Sequence, residues 1–266
     1  MPDTLRVETN DHVATVTLLR TTMPVAFFDE IGETFRALSA DRALRAVVVC
    51  SATKHFTYGL DLPDAAQHFG DALQGGTAGP RARLHEVIVR LQQSLTAIAE
   101  CPVPVIAAVQ GRCIGGGVDL IAACDVRLAT EDATFSVRET KVAIVADLGS
   151  LQRLPAIIGQ GHTRELAFTG KDVDAARAKA IGLVNDVYAD REALMNAAQA
   201  MAREIAENAP LTVRGVKQVL RFGEDRRVAD GLAYVAAWNS AFLASDDLGE
   251  AMGAFLQKRA PRFAGK

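Results

Sequence analysis

Apolar residues recur along the chain with two different spacings, and each spacing predicts a different kind of element. Strict alternation over residues 5–9 and 13–18, on either side of a turn, predicts a β-hairpin. Spacings of three and four residues predict helices over 28–38 and 84–98, and a β-branched run at 46–50 predicts a buried strand between them. Because strands and helices alternate, the pattern predicts an α/β fold.

After residue 187 the helical spacing continues without strands, through segments centred near 198, 216, 238 and 252. We therefore predict an α/β core over residues 1–190 and an all-helical region over 191–266. The helical region is rich in apolar residues for its size, which predicts packing against another subunit. Asp247 and Glu250 have the spacing of a capping box at the start of the last helix. The glycine-rich segment 70–80 is predicted to be a mobile loop.

Two glycine turns, each between a strand and a helix, are the most informative local pattern. Gly115, Gly116 and Gly117 follow the apolar run 103–109, and a second turn contains Gly59 and Leu60. A glycine turn that opens a helix exposes backbone N–H groups to an anion or to a developing oxyanion. If both turns face one pocket, the amides of Leu60 and Gly116 would bind a single carbonyl oxygen. The alternative is two ordinary strand-to-helix turns; neither fits a nucleotide-binding pattern.

Three carboxylates, Asp119, Glu139 and Asp147, lie in or shortly after the unit that begins with the three glycines. Each has an ordinary explanation. The helix dipole stabilises an acid such as Asp119 near the start of a helix, and Asp147 is suitable as a helix cap. Glu139 resembles a solvated acid on a strand edge. Together with the anion-binding amides they indicate proton transfer beside a carbonyl, for which burial would raise at least one pKa towards neutrality. A serine hydrolase is disfavoured, because no GxSxG motif occurs.

Composition removes several other classes of function. The chain has 266 residues, 49% of them hydrophobic, and its net charge of −3 comes from mixed acids and bases, so a nucleic-acid partner is not expected. No apolar run is long enough for a membrane span, and the scattered histidines predict no metal site. The four isolated cysteines predict buried thiols rather than disulfides. With a charged N-terminus and no secretory signal pattern, these features predict a cytoplasmic protein.

Several motifs resemble the crotonase superfamily, the enoyl-CoA hydratase/isomerase group. They are FTYGLDL at 56–62, PVIAAVQGRCIGGGVDLIAACDVRLAT at 104–130, LQRLPAIIG at 151–159, ELAFTG at 165–170, AIGLVNDV at 180–187 and AFLQKRAPRF at 254–263. The resemblance implies a spiral of ββα units with a helical trimerisation region, assembled as a trimer or a dimer of trimers. It also implies an acyl-CoA thioester substrate and no separate cofactor. Leu60 and Gly116 would form the oxyanion hole, and Tyr58, Asp61 and Lys258 would contact CoA.

Within this group the acids distinguish between reactions. Hydratases carry glutamates at the positions of Asp119 and Glu139 and glycine at that of Asp147. This chain resembles instead the 3,5-dienoyl to 2,4-dienoyl-CoA isomerases, through the motifs VQGRCIGGGVDL and VRETKVAIVADLGSLQRLP. In that group the acids at the positions of Glu139 and Asp147 act as the proton acceptor and the proton donor. The alternatives are an enoyl-CoA hydratase or single-bond isomerase, a relative acting on aromatic or branched acyl-CoAs, and a non-catalytic acyl-CoA-binding protein.

Overall fold

The computed structural model describes residues 4–73 and 77–266, and it contains two β-sheets. The larger sheet has the strand order β1-β2-β3-β4-β6-β9; the first pair is the antiparallel hairpin and the other pairs are parallel. The smaller sheet has the order β5-β7-β8. The strands are β1 Leu5–Asn10, β2 Val13–Leu18, β3 Ala46–Ser51, β4 Val105–Val109, β5 Arg112–Ile114, β6 Val126–Thr130, β7 Thr134–Ser136, β8 Val173–Asp174 and β9 Asp186–Tyr188.

Ten α-helices are present in the described part of the chain, and the last four follow one another without an intervening strand. They are α1 Val25–Ala40, α2 Leu62–Leu73, α3 Ala78–Ala99, α4 Gly116–Ala122, α5 Ser150–Thr169, α6 Ala175–Ala180, α7 Arg191–Glu207, α8 Pro210–Gly223, α9 Val228–Phe242 and α10 Asp246–Gln257. None of the helices within residues 4–73 and 77–266 combines the length and the apolar character that a membrane span requires.

Both faces of the larger sheet are covered, as expected for parallel strands. On one face the strands pack against α1, α3 and α4 in the main core. On the other face Val48 and Ile106 contact α7, which presents Leu194, Ala198 and Ala202 to the sheet. The small side chains of α7 allow it to approach the strands closely. The division at residue 190 therefore stays a prediction, since the helix that follows it packs directly on the sheet.

The predicted fold class is confirmed, and two local predictions in the core and the C-terminal region need correction. The segment 70–80, predicted to be a mobile loop, is helical at both ends: α2 continues to Leu73 and α3 begins at Ala78. Residues 74–76 lie outside the described part of the chain. The cap of α10 is Ser245, whose hydroxyl accepts from the Leu248 amide, and not Asp247. The Asp247 carboxylate instead accepts hydrogen bonds from the backbone amides of residues 264 and 265, so the C-terminal segment lies beside the start of α10. All four cysteines are buried and unpaired, as predicted.

Candidate active site

The two glycine turns lie side by side in the structure. Thr57 pairs with the backbone of Arg112 and Ile114, so the first turn runs along β5 and reaches the start of α4. A Cβ on Gly59 would lie 2.6 Å from the carbonyl oxygen of Ile114 and 2.8 Å from the amide nitrogen of Gly116. Gly59 also has φ +80°, a conformation that favours glycine. The close approach of the two turns therefore depends on the absence of a side chain at this position.

The amides of Leu60 and Gly116 are the two groups that this arrangement brings together. A Cβ on Gly116 would lie 3.6 Å from the amide nitrogen of Leu60. Among the described residues, neither amide donates a hydrogen bond, whereas the adjacent amides of Asp61 and Gly115 donate to Met23 and Ser136. Two neighbouring N–H groups without an acceptor have the form of a site for a carbonyl oxygen that becomes negative.

Glu139 lies beside the second turn. Its Oε1 would be 3.2 Å from a Cβ on Gly115, so the carboxylate occupies the space that a side chain would fill. The predicted strand edge is wrong: Glu139 opens a short 3-10 helix, Glu139–Val142, which is separated from the end of β7 by two residues. Oε2 is buried and has no hydrogen-bond partner among the described residues. Burial, and then the neighbouring Asp119 carboxylate, raise the pKa of Glu139 to about 7.

Asp119 is almost completely buried in the first turn of α4, with 1% of its surface exposed. Its Oδ1 accepts a hydrogen bond of 2.6 Å from the Ser150 amide, the first N–H of α5. Asp119 therefore accepts a hydrogen bond from the start of α5, the role that the sequence predicted for Asp147. Asp147 itself caps no helix. Burial raises the pKa of Asp119 to about 6, against the opposing effect of the Ser150 amide.

Asp147 is partly buried in the segment between the 3-10 helix and α5. Burial raises the pKa of its carboxyl group above the usual value. The Asp147 charge also contributes to the raised pKa values of Asp119 and Glu139, which places the three carboxylates in one electrostatic cluster. Within the described residues, no group of three or more His, Cys, Asp or Glu side chains has the arrangement of a metal site. Carboxyl groups with pKa values near neutrality are suited to accepting and donating protons.

The three residues predicted to contact CoA lie at different places. Tyr58 is 44% exposed beside the first glycine turn, and its ring packs edge-on against His55. The Asp61 carboxylate accepts from the Asp64 amide at the start of α2 and from the Thr22 hydroxyl. Those hydrogen bonds, the one from the Asp64 amide first, lower its pKa. Lys258 is exposed at the C-terminus of α10. Their contacts with CoA stay predictions.

Sequence reasoning missed the residues that hold the Asp147 segment. Gln92 on α3 donates to the Asp147 carbonyl oxygen at 2.6 Å, and Arg153 on α5 donates to the Leu148 carbonyl oxygen at 3.3 Å. The only sequence signal is that each is a polar residue beside an apolar helical stripe, which is common on helices.

Comparison with known proteins identifies the family of this chain. The family model described as enoyl-CoA hydratase/isomerase matches residues 8–266. The chain belongs to the enoyl-CoA hydratase/isomerase family. A crystal structure of an enoyl-CoA hydratase from Bacillus anthracis superposes with a TM-score of 0.90 at 29% identity, covering 99% of this chain and 100% of that one. These findings confirm the predicted family and fold for this family member.

Two curated relatives identify the branch of the family that the chain resembles. The mitochondrial Δ(3,5)-Δ(2,4)-dienoyl-CoA isomerase of Dictyostelium discoideum is 42% identical over 97% of this chain and 90% of its own length. The peroxisomal enzyme of the same name from Arabidopsis thaliana is 44% identical over 90% of this chain and 86% of its own length. The predicted resemblance to dienoyl-CoA isomerases is confirmed.

The same relatives overturn the predicted cytoplasmic location, because their names place them in mitochondria or peroxisomes. The inference failed for a physical reason: the reducing, aqueous interiors of several compartments impose similar demands on a folded domain. Mixed charges, buried thiols and the lack of a secretory signal pattern therefore do not distinguish between them.

Proposed function

We propose that this family member is an acyl-CoA isomerase that converts 3,5-dienoyl-CoA into 2,4-dienoyl-CoA. The observation that supports this assignment best is the cluster of three partly or fully buried carboxylates beside two amides without acceptors. Glu139 has a pKa of about 7 and lies against Gly115, next to the candidate oxyanion site. Asp147 supplies a second carboxyl group on a separate segment of backbone, as a proton transfer between two distant carbons requires.

The reaction moves one proton and two double bonds. In our proposal the Glu139 carboxylate takes a proton from C2, and the electron pair moves onto the thioester oxygen to form a trienolate. The amides of Leu60 and Gly116 stabilise that negative charge. The protonated Asp147 then adds a proton at C6 as the double bonds move to C2 and C4. Proton exchange with solvent restores both carboxyl groups, so no cofactor is consumed and CoA enters only as part of the substrate.

Asp119 has a different part in this proposal. Its Oδ1 is engaged by the Ser150 amide and its side chain is almost completely buried. We assign it the support of the site: it fixes the start of α5 against α4, and its negative charge helps to keep the pKa of Glu139 near neutrality.

Hydration of a single enoyl double bond is the second candidate function. It is favoured by the structural likeness to an enoyl-CoA hydratase, and it would use Asp119 and Glu139 without Asp147. The two reactions therefore differ in their demand on Asp147.

The assignment is tested by assaying the purified protein with a 3,5-dienoyl-CoA and with crotonyl-CoA, before and after Asp147→Asn. We expect the unmodified protein to isomerise the diene and to hydrate crotonyl-CoA weakly. Asp147→Asn should abolish isomerisation while acyl-CoA binding and thermal stability persist, and the exposed Asp225→Asn should behave like the unmodified protein. Unchanged isomerisation by Asp147→Asn would reject the proposed mechanism. Fast hydration without isomerisation would support the hydratase instead.

We also propose that residues 191–266 mediate assembly into a trimer or a dimer of trimers. Large apolar side chains are exposed on the last three helices, among them Leu220, Leu232, Phe255 and Leu256, each at least 62% exposed. A surface of this kind is typical of a region that packs against another subunit. Light scattering after gel filtration should give three or six times the chain mass of 28.3 kDa; a monomer at micromolar concentration would contradict the proposal.

A further inference from the structure

The segment that carries Asp147 has little backbone structure of its own. Within the described part of the chain, no N–H or C=O group of residues 145–148 bonds to another backbone group. The last such bond before it runs from the Ile144 amide to the Glu139 carbonyl, and the next structure is α5, which begins at Ser150. The side chains of Ala146 and Leu148 are buried in the main hydrophobic core and anchor the segment to it. Apolar anchors alone leave the intervening peptide planes free to rotate.

Two side chains supply the missing hydrogen bonds, and both belong to helices outside the segment. Gln92 Nε2 on α3 donates to the Asp147 carbonyl oxygen at 2.6 Å. Arg153 Nη1 on α5 donates to the Leu148 carbonyl oxygen at 3.3 Å, and its Nη2 donates to Thr96 Oγ1 at 3.1 Å. Thr96 lies one helical turn after Gln92 on α3. The two successive carbonyls at 147 and 148 are therefore held by α3 and α5 together.

Gly149 makes room for this arrangement. A Cβ at this position would lie 1.9 Å from Nη1 of Arg153, closer than any real contact. Gly149 also has φ +123°, a backbone conformation that side chains disfavour. The guanidinium group therefore crosses the chain at the one residue of the segment that has no side chain.

We propose that Gln92 and Arg153 are positioning residues that fix the peptide of Asp147, and through it the direction of the Asp147 carboxyl group towards the substrate. The inference rests on the proposed isomerase function, in which that group donates the second proton. Because the carboxyl group is attached to the backbone that these side chains hold, rotation of the 147–148 peptide moves the carboxyl group relative to Glu139. A displacement of about 1 Å at a reacting group costs on the order of 100-fold in rate.

The test compares two adjacent glutamines on α3. Gln92→Ala removes the hydrogen bond to the Asp147 carbonyl, and Gln92→Glu keeps the side-chain shape while an ionised carboxylate offers no donor. Gln93→Ala is the matched control, since Gln93 is exposed and forms no hydrogen bond with the described residues. Steady-state isomerisation of a 3,5-dienoyl-CoA and thermal unfolding are measured for all three variants and the unmodified protein.

For Gln92→Ala and Gln92→Glu we expect kcat to fall by about 10- to 100-fold, with KM within about threefold of the unmodified value. Gln93→Ala should keep its kcat, and the unfolding temperatures should stay within a few degrees. If Gln92→Ala does not fold, the inference is tested with Gln92→Glu alone, because glutamate preserves the volume of the side chain.

Full kcat in Gln92→Glu would overturn the inference, as would a rise in KM without a fall in kcat. An unmodified protein that does not isomerise the diene at all would instead overturn the proposed function, and this inference with it. The two failures are therefore distinguishable in one set of assays.

Discussion

Replacement of Glu139 by glutamine should make the protein more stable at alkaline pH while removing its activity. Glu139 is a carboxylate whose Oε2 is buried without a partner among the described residues. Burial and the charge of Asp119 raise its pKa from 4.5 to about 7, so the folded state binds this proton more tightly than the unfolded chain does. The ionised side chain therefore opposes folding, and a neutral glutamine of the same shape removes that opposition.

The magnitude follows from the two pKa values. At about 1.4 kcal/mol for each pH unit, the interval between 4.5 and about 7 corresponds to about 3 kcal/mol. Because the folded pKa is the higher one, this cost is absent well below pH 4.5, grows between pH 4.5 and about 7, and is constant above it. Glu139→Gln should therefore gain about 3 kcal/mol at pH 8 and less than about 1 kcal/mol at pH 5.

The assay is urea unfolding of both proteins across pH 5 to 8, at one protein concentration because assembly also affects stability. Glu131→Gln is the matched control, since Glu131 is exposed on the turn before β7. A stability difference that does not change between pH 5 and pH 8 would refute the reasoning, and so would a less stable Glu139→Gln at pH 8. Either result would mean that favourable interactions in the folded state offset the cost of burying the ionised Glu139 carboxylate.

Two further predictions concern the same site. The rate of isomerisation should be highest where Glu139 is ionised while Asp147 still carries its proton. The kcat should therefore fall towards lower pH, where Glu139 is protonated, and towards higher pH, where Asp147 has lost its proton; a kcat that is flat from pH 5.5 to 8 would contradict these roles. Gly59→Ala should abolish isomerisation and lower the unfolding free energy by about 1–3 kcal/mol, since its Cβ would collide with Ile114 and Gly116 at φ +80°. Gly231→Ala, at a helical glycine with open space around it, is the control and should retain full activity; equal behaviour of the two variants would remove the argument for a tight turn.

The sequence by itself determined the elements and the chemical inventory. Alternating and helical apolar spacings are local properties of the chain, so they located the hairpin, the buried β3 and the helical C-terminal region. The glycine turns and the three acids predicted the role of the Leu60 and Gly116 amides and the proton-transfer chemistry, and the resemblance to the family then agreed with both. Boundaries were less accurate where tertiary packing extends a helix: α2 continues through Gly70, and α3 begins before Gly79.

Only the tertiary structure decided how these residues meet. The sequence explained Asp119 by the dipole of its own helix and Asp147 as a helix cap, and nothing local showed that the Asp119 side chain would reach the amide of Ser150, 31 residues away. The hydrogen bond from Gln92 to the Asp147 carbonyl spans 55 residues and depends on the packing of α3 beside the Asp147 segment. The pKa values of the three acids likewise depend on burial and on mutual distance. Spacing along the chain reveals which groups are available, whereas burial and long-range contact determine which of them are poised to exchange protons.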